Sequence, residues 1–308
     1  MFKSILVPLD GSPLAERALP YAVAVARAHR GRLALVRAAL DHTFPGTDPT
    51  EKQTAVMREA EAYLEQMAGR IAARDLPIDT GVSYGGAVEG ILLEADIRHA
   101  DLILIATHGR SGLGRWVYGS IAEAVLARAT VPVLLVRAWD QPPGAAPFGD
   151  QPRILVPLDG SPFAEEALPA ALSMARALKG RLVLLHAVSP AETTALPEQG
   201  LLGVQATAAE REAAAHQYLV GLLGSLAGER VQAQPVVRAG LPAGAIAEVV
   251  REYGVTLVAM ATHGRTGLPR LVMGSVADTV LRRSNLPLLL VRPQAIAEAG
   301  VPARVAAL

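Results

Sequence analysis

The chain has 308 residues, with 29 Lys+Arg balanced by 29 Asp+Glu and no cysteine. That length exceeds one ordinary domain and suits two of about 150 residues each. Zero formal charge gives no basic field to gather nucleic acid or anionic lipid. The missing cysteines exclude a disulfide framework, a thiolate nucleophile and a cysteine-ligated metal, and they agree with a reducing compartment.

In chain order, residues 4–9 are a short β-rich apolar run and predict a buried strand. AspGlySerPro turns the chain there; Ser12 caps a helix whose first turn tolerates Pro13. That helix is expected to run to His29, with Ala15, Leu19, Ala22, Val23 and Ala26 on its apolar face and Gly31 closing it. A second strand at 33–38 follows. After a Pro/Gly loop, residues 51–74 predict a helix, with Val56, Ala60, Tyr63, Leu64, Met67 and Ile71 at helical spacing. Strand 78–83, helix 87–98 and the strongly apolar strand 101–107 come next. A glycine-rich loop, a helix at 119–129 and a strand at 131–137 end the pattern.

The pattern then repeats. IleLeuValProLeuAspGlySerPro at 5–13 recurs unchanged at 154–162, an offset of 149, and AlaThrHisGlyArg at 106–110 recurs at 261–265, an offset of 155. Self-similarity of this kind identifies a duplication. The second copy has gained six residues after its second strand, because Gly31 still matches Gly180 at the smaller offset while Tyr63 matches Tyr218 at the larger. Loops absorb such gains at little entropic cost. We expect a first domain at 1–139, a Pro/Gly-broken linker at 140–152, a second domain at 153–293 and a tail at 294–308.

Alternating strands and helices predict an α/β fold: two doubly wound, mainly parallel five-stranded sheets in three-layer α/β/α arrangement. A ligand is expected in the crevice above the C-terminal strand ends. Two loops leave those ends and are repeated almost verbatim. The first is Pro8 to Ser12, with Pro157 and Asp159 in the copy; the second is 106–120. The second loop runs into a helix start, whose free N–H groups and positive dipole end attract anions. Ser120 adds a hydroxyl there, Gly109 and Gly119 let the backbone pass close to a phosphate chain, and Arg110 and Arg115 add charge at the rim. These features point to a polyphosphate site. Neither the P-loop nor the dinucleotide glycine fingerprint is present, and with lysine only at positions 3, 52 and 179 no lysine-centred phosphate site exists at either loop.

Both copies resemble universal stress protein domains. Members of that family that bind ATP carry Gly-x2-Gly-x9-Gly-Ser/Thr after the fourth strand and an Asp after the first. Here the pattern reads Ala106-x2-Gly109-x9-Gly119-Ser120 and Ala261-x2-Gly264-x9-Gly274-Ser275, with alanine at the first position of both. The resemblance implies the adenine nucleotide alpha hydrolase-like fold and ATP as cofactor, with Mg2+ arriving on its phosphates. It sets Asp10 and Asp159 at the adenosine-side acid, and Gly119, Ser120, Gly274 and Ser275 at the phosphates. It also implies pairing of the two domains through strands 131–136 and 286–291, and leaves room for a homodimer.

Other readings of these residues stand beside that one. Asp10 and Asp159 also suit a turn in which the carboxylate binds neighbouring N–H groups, and Ser120 and Ser275 suit ordinary helix starts. His108 and His263 read as donors to backbone or nucleotide, since no nucleophile repeats beside them. Arg110 and Arg265 fit phosphate contact and plain solvation equally. Without a water-activating carboxylate at the loop, at most slow ATP hydrolysis is expected. The rival reading is a partner-binding stress protein that holds no nucleotide, motivated by Ala106 and Ala261. The opening apolar run is too short for a secretory signal and no segment approaches the ~20 residues of a membrane helix, so a cytoplasmic protein is expected.

Overall fold

A computed structural model describes residues 1–39, 49–71, 75–107, 119–137, 146–189, 207–263 and 273–293. In the first repeat the elements are β1 (Ser4–Pro8), α1 (Pro13–Glu16), α2 (Leu19–His29), β2 (Arg32–Ala39), α3 (Pro49–Ile71), β3 (Ile78–Tyr84), α4 (Ala87–Ile97), β4 (Leu102–Thr107), α5 (Ser120–Arg128) and β5 (Val133–Arg137). The second repeat gives β6 (Arg153–Leu158), α6 (Pro162–Glu165), α7 (Leu168–Ala177), β7 (Arg181–Val188), α8 (Ala208–Leu226), β8 (Ala233–Ala239), α9 (Pro242–Glu252), β9 (Leu257–Ala261), α10 (Ser275–Arg283) and β10 (Leu288–Val291). Among the described residues each repeat thus supplies five strands, and the α/β class expected from the sequence holds. The six residues gained by the second repeat fall within 190–206, outside the described residues.

The chain forms two compact units, Gly149–Ser284 and a unit holding Met1–Phe148 with Asn285 and the strand after it. In the latter the strand order is β3-β2-β1-β4-β5-β10. β1 pairs in parallel with β2 and β4, and β4 with β5, while β10 runs antiparallel beside β5 with Leu289 opposite Leu134. In the other unit the order is β9-β6-β7-β8, all parallel. In each unit the order reverses at the repeat's first strand, so the crossover helices before the reversal cover one face and those after it the other. The core follows from that: Ile5, Leu6, Val7, Leu102, Ile103 and Leu104 on the central strands are fully buried, as strands covered on both faces must be.

Two expectations about the first helix are corrected. It does not run unbroken from Pro13 to His29, because Pro20 has no N–H for the carbonyl of Glu16; the chain turns at Arg17 and Ala18 and restarts as α2. The buried face turns with it, to Ala18, Tyr21, Ala22, Val25 and Ala26. Nor does Gly31 supply the left-handed residue that closes α2: Arg30 does, at φ 51° and ψ 47°. Gly31 is needed for room instead. A Cβ there would lie 2.8 Å from the Lys3 carbonyl oxygen, and at Gly180 2.6 Å from that of Pro152. Both glycines let the helix exit pass against the start of the first strand.

Candidate functional site

The turn after each repeat's first strand is built by one aspartate. Asp10 Oδ1 accepts from the Ser12 N–H at 2.8 Å, and Asp159 Oδ1 accepts from the Ser161 N–H at 3.0 Å and its hydroxyl at 2.6 Å. Ser12 and Ser161 in turn accept from the N–H of Ala15 and Ala164, capping α1 and α6. Gly11 and Gly160, at φ 87° and 79°, take the left-handed step that the turn requires. The turn-building role of both aspartates is therefore present in the molecule, and the same turn holds each carboxylate at a C-terminal strand end.

The second loop begins in strand geometry. Ala106 pairs with Val136 within the β4–β5 ladder, and Ala261 is the last residue of β9. Neither has positive φ, so the methyl that replaces the pattern's first glycine costs no backbone strain. At the other end of the second-repeat loop the Gly274 N–H donates to the Thr262 carbonyl at 2.7 Å, pinning the helix start to the strand end. A Cβ on Gly274 would lie 3.3 Å from that carbonyl oxygen, so the glycine serves close approach. Gly119 and Gly274 are the N-caps of α5 and α10, and neither helix start receives a side-chain cap. By contrast α1, α6 and α8 are capped by Ser12, Ser161 and Thr207. The first-turn N–H groups of α5 and α10 thus keep their capacity for an acceptor from outside.

In the second repeat these pieces border one cavity of about 250 Å3, which gathers Pro157, Asp159, Ala261, His263, Gly274 and Ser275. One wall is apolar, from Leu185 and Ala187 on β7, Ile246 on α9 and Met260 on β9; the polar groups collect at the strand ends. His263 is buried, and its Nδ1 lies 3.0 Å from the Thr262 hydroxyl. Asp278, in the first turn of α10, is held by Arg282 Nε at 2.8 and 2.9 Å, which offsets its charge near the helix start. Gly264 and Arg265 lie outside the described residues, as do His108, Gly109 and Arg110 of the first repeat. Pro8 ends β1, Asp10 follows it, and Gly119 and Ser120 open α5.

Sequence reasoning missed Thr262, Pro242 and the apolar wall. Thr262 stands inside the repeated AlaThrHisGlyArg segment, and that repetition was a usable signal. The wall residues read as ordinary core, and nothing in their spacing separates the two roles.

Behind the first-repeat turn, the Arg37 guanidinium lies against Gly11, 5.3 Å from the Tyr63 ring centroid and 3.6 Å from Glu59. The Tyr63 hydroxyl donates to Glu16 at 3.3 Å. Burial, then the negative charges of Glu16 and Asp10, push the Tyr63 hydroxyl up to about 12, against the opposing pull of Arg37. The second repeat keeps the tyrosine–glutamate pair as Tyr218 and Glu165, 2.8 Å apart, but sets His186 in place of the arginine, edge-on to Tyr218 at 5.7 Å.

Comparisons with known proteins bear on the family and the fold. The family model described as the universal stress protein family matches residues 1–137 and again 152–292. A universal stress protein of Mycobacterium tuberculosis is 30% identical over 198 residues, which make up 63% of this chain and only 62% of that relative's length. Another, of Mycolicibacterium smegmatis, is 26% identical over 303 residues, covering 94% of this chain and 97% of that protein. Among solved structures, a universal stress protein from Archaeoglobus fulgidus shares the fold, with a TM-score of 0.72 at 20% identity and coverage of 94% of this chain and 98% of that one.

Proposed function

This chain belongs to the universal stress protein family, and on that premise we propose that it is an ATP-binding stress-response regulator with a nucleotide site in each repeat. The observation that carries the reading is the second-repeat cavity, where an apolar wall, the Asp159 carboxylate and the uncapped start of α10 border one space. At about 250 Å3 it is smaller than the roughly 300–1,000 Å3 of sites that enclose a whole ligand. That size suits base and sugar, with phosphates running out along the helix start. In this reading the adenine packs on Leu185, Ala187 and Ile246, Asp159 accepts from the ribose hydroxyls, and the Ser275 hydroxyl with the first N–H groups of α10 holds phosphate. The family resemblance assigns Gly264 and Arg265 to the same phosphates. The family resemblance brings magnesium with the nucleotide phosphates.

We further propose that the two domains pair through their last strands. The antiparallel ladder of β5 and β10 supports this, as does Arg137 donating to the Asn285 amide oxygen at 3.3 Å. No described helix is long and apolar enough to cross a membrane.

The test is calorimetric titration of the folded protein with ATP and magnesium, preceded by mass analysis of any co-purified ligand. We expect adenine nucleotide at a micromolar Kd, roughly 8 kcal/mol of binding free energy. Absence of binding at millimolar ATP overturns the proposal and favours a partner-binding protein that holds no nucleotide.

A further inference from the structure

The chain has no cysteine, so its sulfur chemistry rests on the thioethers of six methionines. Met67 and Met174 are 2% and 0% exposed and belong to the core. Met260, on β9, is also buried but differs in what it faces. Among the described residues it is the one methionine that borders the second-repeat cavity, where it shares the apolar wall with Leu185, Ala187 and Ile246. Ser275, which also borders the cavity, is exposed. The volume of about 250 Å3 far exceeds the roughly 30 Å3 that a water molecule takes up in the liquid. Small polar molecules therefore reach this wall.

The first repeat provides an internal control. At the offset of 155 the counterpart of Met260 is Ile105, buried on β4. The same strand position in the same fold is therefore filled without sulfur, and folding does not require the thioether. Leu185, Ala187 and Ile246 are matched by Val36, Ala38 and Ile91, aliphatic in both repeats. At these four wall positions sulfur is the one difference in chemical type between the repeats.

We propose that Met260 is an oxidation site, modified by peroxides, that regulates nucleotide binding in the second repeat alone; the regulatory part rests on the nucleotide reading above. The sulfur lone pair attacks one peroxide oxygen, and the S–O bond forms as the O–O bond breaks. The departing hydroxide takes the proton from the transferred oxygen and leaves as water, so sulfur is oxidised by two electrons and the peroxide reduced by two. The sulfoxide sets a polar oxygen against Leu185, Ala187 and Ile246, whose side chains offer it no hydrogen bond. The oxidised side chain turns that oxygen into the cavity, where the base packs in the reduced protein. Ile105 has no such chemistry, so the first-repeat site keeps its affinity. Methionine sulfoxide reductases reverse the change, one enzyme for each sulfoxide epimer.

The test treats the full chain with excess hydrogen peroxide, follows each methionine by peptide mass analysis, and then titrates ATP with magnesium by calorimetry. Met260 is expected to oxidise at least about tenfold faster than Met174. The oxidised chain should keep one site while the other weakens roughly tenfold. Met260→Ile, which installs the first-repeat residue, should hold both affinities through the same treatment. Equal oxidation rates at Met260 and Met174 overturn the proposal. So does a Met260 sulfoxide that leaves both affinities unchanged, or a treated Met260→Ile that loses the site as fully as the wild type. Met260→Gln, a polar side chain of similar length, reads the effect without any oxidant: it should weaken the same site, and unchanged affinity removes the regulatory role. An untreated chain that binds no ATP overturns the nucleotide reading and the regulation with it, while the ratio of oxidation rates still decides the modification site.

Discussion

Gly31 and Gly180 matter for the space they leave, because a methyl at either would meet the carbonyl of a neighbouring backbone segment. Backbone cannot rotate away as a side chain can. Gly31→Ala is therefore expected to destabilise its unit by about 2 kcal/mol, read as a lower urea midpoint. Gly69, inside α3, has no atom within 4 Å of where its Cβ would sit. Gly69→Ala should stabilise by about 0.7 kcal/mol through helix propensity alone. The pair of substitutions distinguishes close approach from chain entropy. At the candidate site, Asp159→Asn keeps an oxygen for the Ser161 N–H while removing the charge. An ATP Kd raised about tenfold, with the thermal midpoint unchanged, is expected by calorimetry; an unchanged Kd would leave Asp159 only its turn.

Two tyrosines tie the elements together and make stability depend on pH. Burial of Tyr21, whose ring meets Phe148 edge-on at 5.3 Å, pushes its hydroxyl up to about 12, and Tyr63 reaches about 12 as well. A tyrosine whose folded pKa exceeds its unfolded value of about 10 favours the fold in its protonated form. The contribution is whole below pH 10 and fades as pH rises from about 10 to 12. Tyr21→Phe/Tyr63→Phe should therefore lose less stability than the wild type between pH 9 and pH 11 in urea titrations. Equal losses would show that the hydroxyls ionise as freely folded as unfolded. Helix ends offer a second check. Ser161→Ala removes the cap on Ala164 and should cost about 1 kcal/mol, whereas Ser275 caps nothing comparable, so Ser275→Ala should change ATP affinity far more than stability.

For the whole molecule, the nucleotide sites proposed for the two repeats are expected to answer separately. Replacing Gly274 with Val and Ser275 with Ala is expected to halve nucleotide stoichiometry from two per chain to one. Complete loss of binding by a folded variant would mean that the sites are coupled. The sites also differ in what backs their turns, Arg37 in one and His186 in the other, so unequal affinities are expected in the wild type.

Periodicity, turn residues and the 149 and 155 offsets were enough to read two α/β copies, their parallel strands and the loops that carry Asp10, Asp159, Ser120 and Ser275. Those features are local: alternation, caps and glycine spacing act within a few residues of where they are written. The break at Pro20 was equally local and was legible, though overlooked. The tertiary structure alone decided that Gly31 and Gly180 serve backbone approach, that β7 and α9 furnish the cavity wall, and that Leu93 and Ile97 face outward while Leu92 turns into a recess. Each depends on which segments meet across the sheet, and a run of apolar residues reads the same whether it fills a core, lines a cavity or meets another molecule.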